Sequence, residues 1–324
     1  MSEFQFNTSI NDRSAEIIEK KVIPNADKLN IEIHRLNNGA TVLDMGINAK
    51  GGWLAGKYFT EIGLGGLGEL SFTKMKIGRY FMPALKISVD LPTIAEMSSH
   101  VAFWRVPWQG KNVNISGPIR SIKRPDIFSQ AVSYQDKWAK KIVAEIQTTE
   151  MPDEAFTSHL AEQAGYSPKD LYVIVARTGT LVGAIQVGAR NVEQTLPTLF
   201  DHGLKMDWIV QANGITPMVS VVDDELIAYG RVNDSLIYGQ ESNVYVNCED
   251  EDIISILDRI PFYKNKDVFG IPFQDLFARS DNDWTKVSRD WDAPCKVNLF
   301  NIKTGHSFST GRLSHEVLEK SFLG

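Results

Sequence analysis

The strongest constraint on the fold comes from residues 171–195, where a short apolar run is followed by an apolar segment that carries charge. The run from Leu171 to Ala176 is rich in β-branched residues, a composition typical of an interior parallel strand. Thr178 and Thr180 then offer hydroxyl groups that can accept backbone N–H groups at a helix start. The helix predicted after them is apolar around most of its surface, so we expect it to be enclosed on most sides.

Three polar side chains interrupt this predicted helix. Gln186, Arg190 and Glu193 are spaced by four and then three residues, so they form one line on the helix surface. The helix also contains Gly183 and Gly188, which indicates that a neighbour approaches its backbone closely. An exposed ion pair, worth about 0.3–0.5 kcal/mol, is one interpretation. We favour the wall of a wet or ligand-filled pocket, because a solvated face normally carries more charges than one pair.

The composition of the chain limits its class. Its 324 residues are 43% hydrophobic and 23% charged, the balance of a globular protein with one large domain or two ordinary ones. The net charge of −6 argues against a nucleic-acid surface and against a polybasic membrane patch, although a local basic pocket for an anion is compatible with it. The sequence has no signal-peptide pattern at its start and no long apolar stretch, so we expect a cytoplasmic protein without a membrane span.

Cysteine, histidine and glycine patterns give no sign of a metal or nucleotide cofactor. Cys248 and Cys295 are the only cysteines, too few for a disulfide scaffold and without CxxC spacing, so we predict structural thiols. The six histidines lack the HxH, HxxxH and HExxH spacings of metal sites. Neither a dinucleotide-binding GxGxxG turn nor a Walker A sequence occurs. We therefore expect no metal and no cofactor.

The order of predicted elements favours the α/β class. From residue 141 the pattern is strand, helix, strand and helix, which points to parallel pairing. Before it we predict, in order, a helical pair at 14–29 broken at Pro24, a hairpin of 31–36 and 40–47, a helix at 53–62, a loop at 63–68, strands at 70–75 and 81–89, and a helix opened by Pro92. After it we predict a strand at 207–211, a loop at 212–217, a strand-rich block through Val246, a helix at 252–260, a hairpin turning at Lys303-Thr304-Gly305 and a closing helix.

Domain boundaries are weakly determined, because no composition shift marks a linker. We predict one α/β domain over residues 1–140 and a second over residues 141–324, with the terminal hairpin and helix able to pack back on the first. Residues 116–120 form a predicted rigid turn beside a charge, for which a surface corner is favoured over an anion clamp.

Several ordered segments together resemble the methenyltetrahydromethanopterin cyclohydrolase family, almost from end to end. The matching segments are GGWLAGKYFTEIGLGGL from residue 51, Asp90-Leu91-Pro92, Ser116-Gly117-Pro118-Ile119-Arg120, the run GAIQVGARNVE from Gly183 to Glu193, Gly230-Arg231-Val232-Asn233-Asp234, Tyr238-Gly239, and Lys303-Thr304-Gly305 with Gly311 and Leu313. Chance similarity is a poor explanation for so many ordered matches.

This resemblance implies a two-domain α/β protein with a large interdomain cleft, assembled as a homotrimer and working without metal or organic cofactor. It also implies a reaction in which water adds to the methenyl carbon of a tetrahydromethanopterin-type carrier and leaves a formyl group on N5. By motif match, Glu193 is the catalytic carboxylate and Arg190 its partner. The substrate-binding residues it implies are Gly65, Gly66, Ser116, Gly117, Arg120, Arg177, Thr178, Gln186, Gly214, Arg231, Asn233, Asp234 and Tyr238. Of these, Arg120 and Arg231, with Arg177 added, are the cations nominated for an anionic tail.

Several positions depart from the family's motifs. They are Val101, Ile115, Arg177, Val232, Gln240 and Thr285, and bulk or charge there replaces glycine, proline or polar groups of the family. Two hypotheses follow. The retained Arg190 and Glu193 favour an active cyclohydrolase, whereas the departures favour a non-catalytic or altered-specificity paralogue that binds a pterin or a partner protein.

Overall fold

The computed structural model describes residues 6–323, which divide into two units. The first unit contains the chain up to Leu67 and then Ile94–Arg177, and the second contains Gly68–Thr93 and the chain from Thr178 onward. The predicted boundary at residue 140 therefore falls inside the first unit. The reason is that strands on both sides of residue 140 belong to one sheet.

Strands are distributed over both units. Their bounds are β1 Glu32–Arg35, β2 Thr41–Gly46, β3 Gly68–Ile77, β4 Tyr80–Val89, β5 Trp104–Trp108, β6 Lys111–Ile115, β7 Ile142–Gln147, β8 Leu171–Ala176, β9 Ile209–Pro217, β10 Glu241–Val246, β11 Lys296–Asn301 and β12 Ser307–Gly311.

Helices connect these strands. The α-helices are α1 Ile10–Ile17, α2 Ala26–Leu29, α3 Trp53–Gly63, α4 Arg120–Lys123, α5 Ile127–Gln130, α6 Glu154–Ala164, α7 Leu181–Gly188, α8 Asn191–Asp201, α9 Glu225–Gly239, α10 Asp250–Ile254, α11 Phe273–Arg279 and α12 His315–Leu323. Ile18–Val22 and Thr93–His100 are wound as π-helix. Short 3₁₀ turns occur at Ile23–Asn25, Pro168–Asp170, Met206–Trp208, Leu257–Arg259, Phe262–Lys264, Trp284–Lys286 and Arg289–Trp291. In the part of the chain that the structure describes, no helix is long and apolar enough to cross a bilayer.

The first unit is built on a four-stranded sheet with the order β1-β2-β8-β7. The predicted hairpin of β1 and β2 is confirmed as antiparallel, and β8 pairs in parallel with both β2 and β7. Helix α6 makes the crossover between β7 and β8; Asp153 caps its start, and Gly165 ends it at φ 85°. The strand, helix, strand prediction from residue 141 is confirmed. Buried Val, Ile and Ala side chains of β7 and β8 pack with one face of α6.

The second unit is built on a six-stranded sheet with the order β12-β11-β10-β9-β4-β3. The predicted strands at 70–75 and 81–89 are confirmed and extended as the hairpin β3–β4. The C-terminal hairpin is also confirmed, and its strand β11 pairs in parallel with β10 of this same sheet. The terminal hairpin thus belongs to the second unit, because β10 supplies its hydrogen-bonding edge.

Two predictions in the second unit are wrong. Residues 212–217, predicted as a loop, form the second half of β9, because β10 and β4 pair with β9 on its two sides and use its backbone groups. The strand-rich block predicted before Val246 contains the long helix α9, whose start is capped by the side chain of Asp224. Leu236 and Ile237 of α9 join a core with α11 and α12, so tertiary burial outweighs the β-propensity of this segment.

The single charged helix predicted after Thr180 is in fact two helices. α7 ends at Gly188, and α8 begins at Asn191 after a turn at Ala189 and Arg190, of which Arg190 leaves the helical region with φ −81° and ψ 23°. Asn191 donates a hydrogen bond from Nδ2 to Oγ1 of Thr216 in β9 (3.0 Å), which holds the start of α8 against the sheet. The single continuous helix predicted over this segment is therefore wrong, because anchoring to β9 redirects the chain at the junction.

Candidate active site at the junction of two helices

The line of polar side chains predicted from spacing converges at the junction of α7 and α8. Arg190 donates from Nε to Oε1 of Gln186 (3.2 Å), and its Nη1 lies 3.8 Å from Oε1 of Glu193. The side chains of Arg190 and Glu193 are only 11% and 15% exposed, and Gln186 is fully buried. This mostly buried pair differs from the exposed ion pair of the alternative interpretation.

The dipoles of the two helices that meet at the junction act on the charges of Arg190 and Glu193. Arg190 occupies the N-cap position of α8, and Glu193 lies in the first turn. The positive end of the α8 dipole favours a carboxylate in the first turn by about 0.3–1 kcal/mol. The negative end of α7, which ends at Gly188, favours a cation at Arg190.

A second carboxyl group lies next to this junction. Asp292, in the segment after the 3₁₀ turn Arg289–Trp291, accepts a hydrogen bond at Oδ1 from Nε2 of Gln194 (2.6 Å). Burial raises the pKa of Asp292, and the bond from Gln194 and the charge of Arg190 act in the opposite direction. The sequence reasoning missed both Gln194 and Asp292.

Tyr229 of the second unit belongs to an aromatic cluster. Tyr229 of α9 packs edge-on against Phe273 and Trp284, with ring centroids 6.1 and 5.8 Å away, and its ring lies 4.9 Å from Phe277. Burial raises the pKa of the Tyr229 phenol, and the charges of Asp292 and Arg190 also act on it. The phenol is neutral at physiological pH and able to donate a hydrogen bond.

Taken together, these groups provide the elements of proton transfer. A carboxylate at a helix start and a planar cation beside it are suited to activating a water molecule and stabilising charge. Carboxylate bases of this kind contribute roughly 10²–10⁴-fold to a rate.

Some predicted binding residues have packing or capping roles in the second unit. Gly214 of β9 leaves room for Asn191, since a Cβ at this position would lie 2.1 Å from Oδ1 of Asn191. The N–H group of Thr178 donates to Oε2 of Glu225 (3.1 Å), and Thr180 caps α7 by accepting from the N–H group of Gly183. The close neighbour of Gly188 is a protein side chain, because a Cβ there would lie 2.9 Å from Cδ1 of Leu85.

The predicted binding residues of α9 differ in their surroundings. Asp234 accepts hydrogen bonds from the N–H group of Phe273 and the hydroxyl of Ser321, and burial raises its pKa to about 7. Tyr238 is fully buried, donates to the carbonyl of Ile271 and accepts from the N–H group of Gly270. Both side chains are used within the core.

Two further residues of α9 were predicted to bind substrate. Asn233 is buried and donates from Nδ2 to the carbonyl of Tyr229 one turn earlier, so its amide serves the helix itself. Arg231 is partly exposed, and its guanidinium has no ion pair or hydrogen bond with any of the described residues. Of the four predicted positions on α9, Arg231 is the one whose charge fits an external anion.

In the first unit, residues 116–120 are neither a surface corner nor an anion clamp. Arg120 is fully buried, and its guanidinium pairs with both carboxylate oxygens of Asp126 and donates to the carbonyls of Met97 and Ser99. An enclosed, neutralised guanidinium does not fit the predicted role of Arg120 in holding an anionic tail. Ser116 is buried and donates to the carbonyl of His100 (2.5 Å).

The predicted glycines of the first unit allow close packing. Gly65, Gly66 and Gly117 have φ values of 69°, 65° and 91°, a region that favours glycine. A Cβ on Gly65 would lie 2.8 Å from Cβ of Ile10, and the carbonyl of Gly66 accepts from Arg13. Their packing is explained within the unit.

Most departures from the family's motifs are explained by packing. Val101, Ile115 and Val232 are buried apolar residues, and the last belongs to the core of the second unit. Thr285 bonds to the carboxylate of Asp283, and the N–H group of Arg177 donates to the carbonyl of Gly46. Gln240 is fully buried and donates from Nε2 to Oε1 of Gln194 (2.5 Å).

One group of possible metal ligands occurs among residues 6–323. It consists of Glu32, His34 and Asp44 in the first unit. Both carboxylate oxygens of Asp44 already accept backbone N–H groups, from Gly46, Ile47, Asn48 and Ala49. Asp44 is therefore committed to the backbone, whereas Nε2 of His34 is buried and has no hydrogen-bond partner among the described residues. Both predicted structural thiols, Cys248 and Cys295, are buried and free of disulfides.

Comparison with known proteins identifies the family. The sequence profile of the cyclohydrolase (MCH) family matches residues 9–322. The methenyltetrahydromethanopterin cyclohydrolase of Methanocaldococcus jannaschii is 33% identical over 97% of this chain and 98% of its own length. The enzymes of the same name from Methanothermobacter marburgensis and Methanococcoides burtonii are 33% and 31% identical, again over 97% of this chain and 99% and 98% of their own. The chain therefore belongs to the cyclohydrolase (MCH) family.

Proposed function

We propose that this protein is a methenyltetrahydromethanopterin cyclohydrolase. It hydrolyses the methenyl group of a tetrahydromethanopterin-type carrier, reversibly, to the N5-formyl form in one-carbon metabolism. Relatives of that name match over nearly the whole chain, which supports this assignment. The observation that carries it is the mostly buried pair of Arg190 and Glu193 at the start of α8, because a positioned carboxylate can act as the base for the water that this reaction adds.

In the proposed mechanism, Glu193 accepts a proton from water as the water oxygen bonds to the electron-poor methenyl carbon. The tetrahedral adduct then opens when its bond to the second nitrogen breaks. That nitrogen takes up one of the two protons of the water, and the other is released. Arg190 orients the carboxylate and offers planar N–H donors to the incoming oxygen.

We assign the binding of the carrier's anionic tail to cations outside this pair. Arg231 is the main candidate, because its guanidinium is partly exposed and has no protein partner in the described chain. Arg177 is the second candidate from the sequence. An arginine can pair bidentately with phosphate or carboxylate, which fits such a tail.

The alternative of a non-catalytic paralogue rested on the motif departures. Val101, Ile115 and Val232 are accommodated in apolar cores, and Arg190 and Glu193 are retained. A homotrimer and a cytoplasmic location remain proposals; light scattering at micromolar concentration tests the first.

The test of the function is turnover of the methenyl substrate. Purified protein is mixed with the methenyl pterin, and the loss of its absorbance is followed against the buffer-catalysed rate. A rate proportional to protein concentration supports the proposal. A folded protein that leaves the buffer rate unchanged would leave the binding paralogue as the better assignment.

A further inference from the structure

The hairpin β3–β4 presents an apolar and basic face near its tip. Among the described strands β3 pairs only with β4, and β4 pairs with β9 only from Ala84 onward, so the tip extends past its neighbour. Lys76 lies opposite Phe81 and Lys74 opposite Pro83, and residues opposite each other in a ladder share one face of the sheet. All four are exposed, and Phe81 keeps 72% of its surface open to solvent. We call these four residues the basic hairpin face.

The positive charges of this face are not neutralised within the described chain. Neither Lys74 nor Lys76 forms a side-chain ion pair or hydrogen bond with any of the residues that the structure describes. The other face of the hairpin is buried through Met75, Ile77 and Ala84 in the core of the second unit. That buried face attaches the hairpin to its unit, so the exposed face is available for a contact with another molecule.

A second exposed surface of the same unit has the opposite charge, at the carboxyl ends of β10 and β11. A hydrogen bond from Nδ2 of Asn301 to Oδ1 of Asp250 (2.7 Å) ties the start of α10 to the end of β11. The surface combines two acidic and two apolar residues, Glu251, Asp252, Ile254 and Ile302, which we call the acidic sheet end. The two isoleucines are 59% and 54% exposed, and the two carboxylates have no ion pair among the described residues.

The two surfaces lie at diagonally opposite corners of one sheet. β4 and β10 both run antiparallel to β9, so the start of β4 and the end of β10 are at opposite ends of the strand direction. Phe81 lies before the pair of Ala84 and Pro217, whereas Val246 lies opposite Ile209 at the far end of β9. At about 3.3 Å per residue, the separation along the strands is roughly 35 Å. The two surfaces therefore cannot pair with each other inside one sheet, whereas two copies of the chain can bring them together.

We propose that the basic hairpin face of one copy binds the acidic sheet end of a second copy. The lysines face the carboxylates, and Phe81 packs against the exposed isoleucines, which gives an apolar centre with a charged rim. Because the two surfaces differ, the contact is heterologous, and a threefold rotation closes it into a ring. The number of copies rests on the proposed homotrimer, while the contact itself does not depend on the proposed reaction.

Charge reversal in the full chain tests this contact, with the mass in solution measured by light scattering at micromolar concentration. Lys74→Glu combined with Lys76→Glu should raise the apparent dissociation constant about 100-fold, because like charges then face each other. Glu251→Lys combined with Asp252→Lys should have the same effect. The variant with all four substitutions has the net charge of the wild type, and it should assemble again because the opposite charges are restored with their positions exchanged.

The matched control is Lys137→Glu combined with Lys140→Glu, at exposed positions of the first unit. It makes the same change in net charge as the hairpin reversal and should leave assembly unchanged. A monomeric wild type, or a folded four-substitution variant that stays dissociated, overturns the proposal. Assembly that survives the hairpin reversal also overturns it, and the lysines then serve only to protect the edge strand β3 from pairing. A monomer that still hydrolyses the substrate would leave the proposed function intact.

A second measurement uses the wild-type protein alone. A carbodiimide joins lysine amines to carboxylates in direct contact, and an assembly formed from ¹⁵N-labelled and unlabelled protein shows by mass spectrometry which links join two copies. We expect mixed-isotope links from Lys74 or Lys76 to Glu251 or Asp252. An assembled protein whose mixed-isotope links join other surfaces, and none of these residues, overturns the proposal.

Discussion

Replacing Glu193 with glutamine separates catalysis from stability at the candidate site. The variant keeps the size of the side chain and removes the base. At 3.8 Å the gross attraction between Arg190 and Glu193 is about 4 kcal/mol at an effective dielectric constant near 20. The cost of desolvating two side chains with low exposure offsets much of this. We therefore expect a net loss of stability of about 1–2 kcal/mol, which lowers the thermal midpoint by only several degrees.

The rate should respond far more strongly. Loss of a general base lowers kcat by about 100-fold or more, which corresponds to about 2.7 kcal/mol of transition-state stabilisation. The assay measures the loss of methenyl absorbance and the thermal midpoint on the same sample. Glu61→Gln is a suitable control, because Glu61 is also partly buried and pairs with Lys57 at i,i+4 in α3. A folded Glu193→Gln variant with full activity would remove Glu193 from the mechanism, and activity lost only in parallel with unfolding would make the pair structural.

Three further predictions concern other residues. Arg120→Ala should cost about 3–5 kcal/mol of unfolding free energy, because it leaves the buried Asp126 carboxylate without its cation, whereas Arg35→Ala at an exposed position should cost almost nothing. Chemical denaturation measures both variants, and equal stabilities would contradict the buried pair. Burial raises the pKa of Asp234 to about 7, so the folded state binds this proton more tightly than the unfolded state, and the free energy of unfolding falls as the pH rises from about 4 to 7. The thermal midpoint of the wild type should therefore decline more steeply across this range than that of Asp234→Asn, and parallel curves would refute the assignment. Arg231→Ala should raise KM about tenfold for the full carrier with little change in kcat, while Arg279→Ala, at an exposed position of α11, should leave KM unchanged. An unaltered KM in Arg231→Ala would exclude Arg231 from binding the tail.

Local chemistry made much of the first unit predictable. The turn Asn37-Asn38-Gly39 fixed the hairpin of β1 and β2, and Gly165 ended α6 in the left-handed conformation. The β-branched run Leu171–Ala176 became an interior parallel strand as expected. These features depend on residues close together in sequence.

Pairing between strands far apart in the sequence could not be predicted from local residues. Residues 212–217 contain turn-forming residues, but pairing on both sides makes them strand. The hairpin β3–β4 joins a sheet whose other strands follow Thr178, so each unit is discontinuous in sequence. The chain passes from one unit to the other after Leu67, Thr93 and Arg177, and no change in composition marks these points.

The candidate site was predictable in part. The sequence spacing of Gln186, Arg190 and Glu193 predicted that these side chains lie together, as they do. The break between α7 and α8 was not predictable, because the hydrogen bond from Asn191 to Thr216 of β9 is a long-range contact. Gln194 lies four residues after Arg190, and that spacing is a signal that could have identified it. Asp292 lies almost a hundred residues further on, so nothing local pointed to it.

The most direct test of the proposed reaction is to run it in H₂¹⁸O and analyse the product by mass spectrometry. If water activated at Glu193 adds to the methenyl carbon, the wild-type protein should form the N5-formyl carrier with one ¹⁸O atom in the formyl group, at a rate well above that of buffer or of Glu193→Gln. Folded wild-type protein that forms no labelled formyl product above the buffer level would contradict the account.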